Sequence, residues 1–401
     1  MVTPLFGGGA EAGTVDETLP IRGTSIRGQL QFWWRATRGA DFATHNDLFA
    51  RHAEIWGTTD RASPVTIEVR NVTTSPARPC ASYKGNPNSG SPLAYALFPF
   101  QGKETRSPDA ATERASAHFI ETASFTLRLR FPAALQQEVE TAMWAWVNFG
   151  GLGARTRRGC GALLCEELAP RDIDDLQRWF RTGSLNPESN LRSWPTMPTN
   201  VLVGSSPKAP LEAWKRVIGL LQSFRQTGGI ARNPGTQHGR PGRSRYPEPE
   251  TIRQVTGRRP TQHARLAHIP DDAFPRAEFG LPIVFHFQGR DEPPQTELYP
   301  SRAENGEDRE RLASPLILKP LALANGEAVS LIMRLVTPPL ERVQLKQGNR
   351  PLSLPATTVV RGSRLATYRD SPLAGSASGS AVEAFLSYAR HNQNGFREVP
   401  R

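Results

Sequence analysis

Cysteine is scarce in this chain of 401 residues, which has three: Cys80, Cys160 and Cys165. The number is odd and no Cys-x-x-Cys pair occurs, so the sequence supports neither a disulfide framework nor a zinc knuckle. We therefore expect a protein of a reducing compartment that holds no metal.

Long apolar segments are also missing. The most apolar uncharged window, residues 142–154, is too short to cross a bilayer. The N-terminal residues do not combine a basic segment with a following apolar run, as a secretory signal would. The sequence predicts a cytoplasmic protein without a membrane partner.

Motifs for nucleotide cofactors and for catalysis are absent. No Gly-Lys-Ser/Thr follows a glycine-rich stretch, and Thr156 stands where a dinucleotide motif needs its third glycine. The eight histidines form no recognisable pair, and no His-Glu-x-x-His or Ser/His/Asp order is found. We predict no cofactor and no catalytic residue, although a ribonuclease that uses a histidine base stays an alternative.

Positive charge is abundant. The formal net charge is +11 and the pI is about 10.1, and arginine rather than lysine supplies most of the excess. Arginine carries a planar, permanently charged fork that suits phosphate oxygens, so a polyanionic partner is expected, with RNA or DNA as the first candidate.

Glycine and arginine concentrate in residues 150–161, a stretch with five glycines and three arginines, which we call the glycine-rich loop. A helix is predicted before it and a short strand, residues 162–168, after it. Gly150 and Gly151 are expected to close the helix in the left-handed conformation. The exposed backbone together with Arg155, Arg157 and Arg158 predicts a phosphate cradle; a surface turn with solvated arginines is the alternative.

A basic helix is predicted near the N-terminus, with Ser25 as its N-cap and Ile26, Leu30, Trp33 and Thr37 on its inner face. The adjacent face forms a basic stripe that contains Trp34, where stacking on bases would be possible. Arg22 precedes the helix, whose N-terminus already attracts phosphate. The stripe consists of Arg27, Gln31, Trp34, Arg35 and Arg38.

The element order predicts an α+β protein. Strand, helix, strands, helix, strand in the first half is the order of a ferredoxin-like (RRM-like) sheet with two helices on one face. The length suits two domains, and we place them at residues 1–195 and 196–401. A long basic loop, Pro234–Arg265, is expected to be disordered or to become ordered on RNA. Further strands are predicted at 93–98, 124–130, 200–203, 281–287, 314–323 and 329–336, and helices at 176–180, 211–224 and 381–389.

Several motifs resemble the RAMP superfamily of CRISPR proteins, and more closely the first RAMP subunit of the type III-B (Cmr) effector complex. In the first half they are Thr3–Gly9, Ser25–Arg35, Ile55–Thr59 and the glycine-rich loop. In the second half they are Arg243–Pro249, Phe274–Ile283 and Arg311–Pro320. The loop alone indicates a RAMP protein, whereas the Phe-Trp-Trp-Arg helix and the Ala-Ser-Pro-Leu-Ile-Leu-Lys-Pro segment are more specific.

The resemblance implies two tandem ferredoxin-like domains and a non-catalytic subunit. Such a subunit holds the 3′ region of the guide RNA, aids capture of target RNA in antiviral defence, and has other RAMP subunits as partners. A protein–protein scaffold stays an alternative. The RNA-binding residues that it implies are Arg22, Arg27, Arg35, Gly151, Gly153, Arg155, Arg157, Arg158 and Lys319.

Overall fold

The computed structural model describes residues 1–9, 11, 13–80, 92–100, 117–182, 192–234, 242–260, 272–301, 310–362 and 371–400. The chain forms two compact units. Unit 1 comprises residues 1–219, 317–338 and 396–401, and unit 2 comprises residues 220–316 and 339–395. These units do not coincide with the two predicted domains, whose boundary at residues 195/196 stays a prediction.

Helices of unit 1 lie where apolar residues recur at intervals of three and four. The buried residues of the first helix are Ile26, Leu30, Trp33 and Thr37, as predicted, together with Trp34 and Ala36. The helices are α1 (Gly23–Arg38), α2 (His45–Trp56), α3 (Pro92–Leu97), α4 (Gln136–Phe149) and α5 (Leu176–Thr182), and α6 (Pro210–Gln226) has residues 210–219 in this unit.

Two expectations for α1 are wrong. The helix begins at Gly23, after Arg22, and no side chain caps it, so Ser25 is not the N-cap. Trp34 does not belong to an exposed stripe: it is fully buried, and its indole Nε1 donates to Glu138 Oε2 of α4 at 2.9 Å. Since Trp33 is only 2% exposed, neither tryptophan is available for stacking on bases.

The strands of unit 1 belong to three small sheets. The first has the order β1 (Leu5–Phe6), β4 (His118–Ile120), β3 (Ala77–Pro79), and the second pairs β2 (Thr66–Thr74) with β5 (Ala123–Arg130). The third has the order β13 (Phe396–Pro400), β6 (Asn200–Gly204), β10 (Ala328–Arg334), β9 (Leu316–Ala322, of which residues 317–322 are in this unit). The mixed α+β class is confirmed, whereas tandem ferredoxin-like domains stay a prediction.

Two predicted strands of unit 1 are wrong. Residues 93–98 lie in α3 and the turn after it, because alternating Leu and Ala are good helix formers and tertiary packing decides such short apolar segments. Residues 162–168 contain no strand, since the N–H of Leu168 bonds back to the carbonyl of Cys165 in a turn. The strands predicted at 124–130, 200–203, 314–323 and 329–336 and the helices predicted at 176–180 and 211–224 are confirmed within a few residues.

Unit 2 places one sheet beside short helices. The sheet has the order β12 (Arg350–Leu352), β11 (Val343–Gln347), β8 (Thr296–Pro300), β7 (Ile283–Phe285). Helices α7 (Glu248–Thr256) and α8 (Ala381–Arg390) and the 3₁₀ helix Pro275–Phe279 complete it. The helix at 381–389 is thus confirmed, and the strand predicted over 281–287 is shorter than expected. His286 is exposed and lies just beyond that strand.

The basic segment 234–265 is not a disordered loop in its described part. Residues 248–256 form α7, and the carboxylate of Glu250 accepts hydrogen bonds from Arg243, Arg253 and Arg259. These ion pairs compensate the arginines and order the segment without RNA. Residues 235–241 and 261–265 lie outside the described residues.

Glu248 should stabilise unit 2 strongly, because it is fully buried and pairs with one arginine. Its Oε1 accepts the backbone N–H of Arg276 at 2.7 Å, and its Oε2 lies 3.1 Å from the Arg276 Nε. Removing one partner of a buried ion pair leaves the other charge buried and unpaired. Glu248→Ala should therefore lower the free energy of unfolding by about 3–5 kcal/mol. Urea denaturation measures the effect. The exposed Glu341→Ala should change it by less than about 0.5 kcal/mol, and similar values for both variants would contradict the pairing.

Candidate nucleic-acid interface

The glycine-rich loop is held by backbone hydrogen bonds to the first residues of the chain. The N–H of Ala154 donates to the carbonyl of Phe6 at 2.7 Å, and the N–H of Gly161 donates to the carbonyl of Pro4 at 2.8 Å. Thr3 Oγ1 donates to the carbonyl of Gly159 at 2.6 Å and accepts the N–H of Ala162 at 2.8 Å. The loop therefore has a fixed shape rather than that of a free surface turn.

The left-handed residues are not the ones that the sequence predicts. Gly150 ends α4 with a φ of −91°, and the left-handed positions are Gly153, Arg155, Gly159 and Gly161. Gly150 is required for a different reason: a Cβ there would lie 2.6 Å from both the Trp146 carbonyl oxygen and the Trp33 Nε1. Glycine at this position allows α1 and the end of α4 to approach closely.

Arg155 begins a concave run of backbone donors. It is left-handed, with φ 56° and ψ 32°, and the 3₁₀ turn Thr156–Arg158 follows it. Such a change of hand makes successive N–H groups converge into a concavity that binds anions. Among the described residues, no backbone acceptor pairs with the N–H of Arg155 or of Thr156. The loop thus has the donor geometry of the predicted phosphate cradle.

Two arginines of the loop are partly buried cations. The Nε of Arg155 is buried without a hydrogen-bond partner, and the Arg157 guanidinium lies 5.4 Å from the centre of the Phe32 ring. Burial lowers the pKa of both groups, yet arginine stays charged at neutral pH. Burial withdraws these guanidinium groups from water, so a phosphate in the cradle would stabilise their positive charge. Arg158 donates from its NH1 to the Arg157 carbonyl at 3.2 Å.

The three predicted arginines of the α1 region divide into two groups. Arg22 donates to the carbonyl of Gly8, in the glycine segment next to Phe6 that supports the loop. Arg27 donates to the carbonyl of Val65 at 2.8 Å, and Arg35 is 3.0 Å from the Nε2 of His52 on α2. Arg22 thus extends the loop surface, whereas these contacts direct Arg27 and Arg35 towards α2 and the start of β2.

Lys319 lies beneath the loop. It is fully buried, and its Nζ donates to the carbonyl of Gly150 at 2.7 Å. Burial lowers the pKa of the ammonium group to about 7. A side chain in this position does not reach a phosphate at the surface, so the structure favours a supporting role over the predicted RNA contact.

Sequence reasoning did not assign Thr3, Phe32 or Trp214 to the site. The indole Nε1 of Trp214 donates to the carbonyl of Arg158 at 2.6 Å, which fixes the last turn of the loop. For Thr3, the three consecutive glycines at positions 7–9 are a possible signal, because glycine allows the N-terminal segment to approach another backbone closely. Nothing in the sequence indicated that Trp214, more than fifty residues away, would bond to the loop.

Some of the residues that bear on the predicted absence of a metal site and of a catalytic histidine lie outside the described ranges. In the ranges that the structure describes, no group of three or more His, Cys, Asp or Glu residues could hold a metal ion. His52 is half-buried, and burial together with the charge of Arg35 lowers its pKa to about 4. His238, His263 and His268 lie outside the described residues. Among the described helices none is long and apolar enough to cross a bilayer. Whether the chain is catalytic, and its cytoplasmic location, stay predictions.

Gly153→Ala should deform the loop. Gly153 has a φ of +75°, and an added Cβ would lie 2.5 Å from the carbonyl oxygen of Phe6, which is immobile backbone. Gly229→Ala is the matched control because its φ is +87° with nothing near the added Cβ, so it tests backbone strain alone, about 1 kcal/mol. We expect thermal unfolding to show a clearly larger loss of stability for Gly153→Ala. Equal losses would mean that the loop is not packed on Phe6.

Lys319→Met should change how stability depends on pH. The folded-state pKa of Lys319, about 7, lies below its ordinary value of 10.5, so the unfolded chain binds more protons between these pH values. The free energy of unfolding should therefore gain a rising contribution from pH 7 towards 10.5, and Lys319→Met should lose it. Urea denaturation at pH 6.5, 8 and 9.5 measures the slope. The exposed Lys208→Met should keep the original slope, and an unchanged slope in Lys319→Met would contradict the lowered pKa.

Comparison with protein families finds a match to the RAMP superfamily over residues 1–164. None of the curated proteins matches the sequence. Among solved structures, Cmr1 from Pyrococcus furiosus in its apo form is 17% identical, with 85% of this chain and 87% of that chain covered and a TM-score of 0.43.

A chain of the Type III-B Cmr-beta structure bound to cognate target RNA is 11% identical, with 88% and 94% covered and a TM-score of 0.43. Another state of Cmr-beta, bound to cognate target RNA and AMPPnP in the presence of ssDNA, gives 10% identity, coverage of 84% and 94%, and a TM-score of 0.39. TM-scores below 0.5 do not establish a shared fold. The RAMP superfamily match covers residues 1–164, which hold α1, α4 and the whole glycine-rich loop.

Proposed function

We propose that this chain is a non-catalytic RNA-binding subunit of a type III-B CRISPR effector complex. In this role it holds the 3′ region of the guide RNA, aids capture of the target RNA, and assembles with other RAMP subunits. The RAMP match over residues 1–164 and the motifs of both halves support this assignment.

The observation that carries the proposal is the geometry of the glycine-rich loop. Backbone donors at Arg155 and Thr156 converge, while Arg155 and Arg157 are desolvated cations that gain from a phosphate partner. Arg22, bonded to Gly8, adds a further cation beside the same backbone. Donors of this kind contact the sugar-phosphate chain, which fixes position but carries no sequence information. Pairing between guide and target would supply the sequence specificity.

Removal of charge from the loop should weaken RNA binding in a salt-dependent way. Each phosphate contact on a single strand contributes about 0.7 to the slope of log affinity against log salt. The triple variant Arg155→Ala, Arg157→Ala, Arg158→Ala should therefore lower the slope by about 2, which is about a 20-fold difference in relative affinity between 50 and 200 mM salt. Filter binding of labelled single-stranded RNA across a salt series measures it.

A matched triple variant with the same loss of charge is the control. Arg61, Arg128 and Arg130 are exposed arginines of unit 1 outside the loop, and their replacement by alanine should leave most of the slope unchanged. Circular dichroism of each variant verifies folding. Weaker binding of the loop variant with an unchanged slope would mean that the loop is structural, and equal slopes for the two triple variants would place the RNA elsewhere.

The same samples on a denaturing gel test the absence of catalysis. We expect the RNA to stay intact during binding. Discrete cleavage products that disappear when a single histidine is replaced would contradict the proposal and favour a RAMP endoribonuclease. Absence of RNA binding, with partner subunits still bound, would favour a scaffold.

A further inference from the structure

Unit 2 contains an arginine-lined cavity that the proposed function does not use. Its volume is about 670 Å³, within the range of small-molecule sites. Five arginines and two glutamates line it: Arg225, Arg232, Arg243, Arg253, Arg276, Glu250 and Glu292. The cavity wall therefore carries an excess of three positive charges.

Both glutamates of the wall are already compensated. Glu292 forms a two-pronged pair with Arg253, whose Nε and NH2 donate to its carboxylate at 2.9 and 2.8 Å. Glu250 accepts from Arg253 at 2.6 Å and from Arg243 at 2.7 Å, and also from Arg259. Among the described residues, neither carboxylate forms an ion pair with Arg232.

The guanidinium group of Arg276, in the cavity wall, lies over two aromatic rings. Its guanidinium lies 5.0 Å from the centre of the Tyr246 ring and 5.1 Å from that of the Phe285 ring, and its Nε is 3.1 Å from Glu248. Stacking and the ion pair fix the plane of the fork. Arg276 is thus pre-organised, which lowers the entropy cost of binding a ligand at its free edge.

Arg232 forms no ion pair with any residue that the structure describes. Within the part of the chain that the structure describes, its side chain makes one hydrogen bond, a long one of 3.4 Å from NH1 to the carbonyl of Gly242, and no ion pair. Burial lowers the pKa of Arg232, and the positive charge of Arg276 lowers it further. The guanidinium groups of Arg232 and Arg276 thus line the same cavity and repel each other.

We propose that this cavity is a second anion site, which binds a small phosphate monoester between the guanidinium groups of Arg232 and Arg276. A phosphate dianion would offset two of the three excess positive charges, and its oxygens suit two planar forks. The cavity is larger than a bare phosphate, and Phe285 and Phe287 in its wall offer apolar surface to the esterified group.

Two motifs of the second half, which lie outside the glycine-rich loop, contribute residues to the wall of this cavity. Arg243–Pro249 supplies Arg243, Ser244 and Pro249 to the wall, and Phe274–Ile283 supplies Arg276. Glu248 in the first motif joins the two, because it binds the backbone and side chain of Arg276. The site lies wholly in unit 2, whereas the loop lies in unit 1, so the inference does not depend on the proposed function.

Calorimetric titration of the full chain with inorganic phosphate tests the site, at constant ionic strength set with chloride. Arg232→Gln should weaken phosphate binding by at least about tenfold, because a charge-assisted contact is lost. The control Arg350→Gln removes the same charge from an exposed position of β12 in the same unit and should bind within about twofold of the unaltered protein. Absence of phosphate binding in the unaltered protein, or equal binding by Arg232→Gln, overturns the proposal.

Two sources could supply the phosphate: a free nucleotide, probed by AMP, or the terminal phosphate of an RNA, probed by a short oligonucleotide with a 3′-phosphate and its hydroxyl-ended counterpart. The source is whichever probe displaces labelled phosphate from the unaltered protein, and displacement by neither contradicts the assignment to a phosphate monoester. The loop variant that lacks Arg155, Arg157 and Arg158 should keep its phosphate affinity. A loss in that variant would mean that the loop, not the cavity, binds the phosphate, and would overturn the inference while leaving the proposed function intact.

Discussion

The hydrogen bonds between residues 2–6 and the glycine-rich loop are the constraint on which the candidate interface depends. Without them, five glycines would leave residues 150–161 with a large conformational entropy, and an ordered set of donors would not persist. Bonds from Pro4, Phe6 and Thr3 fix both ends of the loop, and Lys319 and Trp214 fix its carbonyls from below. The backbone donors and the arginines are consequently presented in place before any ligand arrives.

Arginine has two distinct roles in this chain, and the net charge of the sequence does not show which arginines have which role. Arg243, Arg253 and Arg259 are paired with Glu250, and they order a segment that its composition alone marks as a disordered loop. Arg155, Arg157 and Arg232 are partly buried, and burial lowers the pKa of each guanidinium group. The second group identifies where an anion would be stabilised, because a desolvated cation gains most from a counter-ion.

The sequence predicts the elements whose signal is local. Periodic apolar residues give α1, α4, α6 and α8, and alternation gives β5, because each pattern matches the burial of one face. The strand predictions for residues 93–98 and 162–168 were wrong, because such short apolar segments are compatible with a helix, a strand or a turn. For the site, glycine and arginine content identified the loop, but whether Lys319 or Trp34 is exposed depends on packing against residues distant in sequence. Burial by long-range contacts is not encoded in any local pattern.

Distances along the chain give the loop one further property. Thr3 bonds to Gly159 across 156 residues, and Lys319 bonds to Gly150 across 169. During synthesis the first strand therefore has no loop to bind until residue 162 has emerged, and the buried ammonium arrives last of all. A segment that ends at residue 164 contains every glycine and arginine of the loop and all of the family-matched sequence, yet it lacks the two side chains that close the loop from below. Formation of the interface therefore depends on residues from nearly the whole chain, although twelve consecutive residues supply the glycines and arginines of the loop.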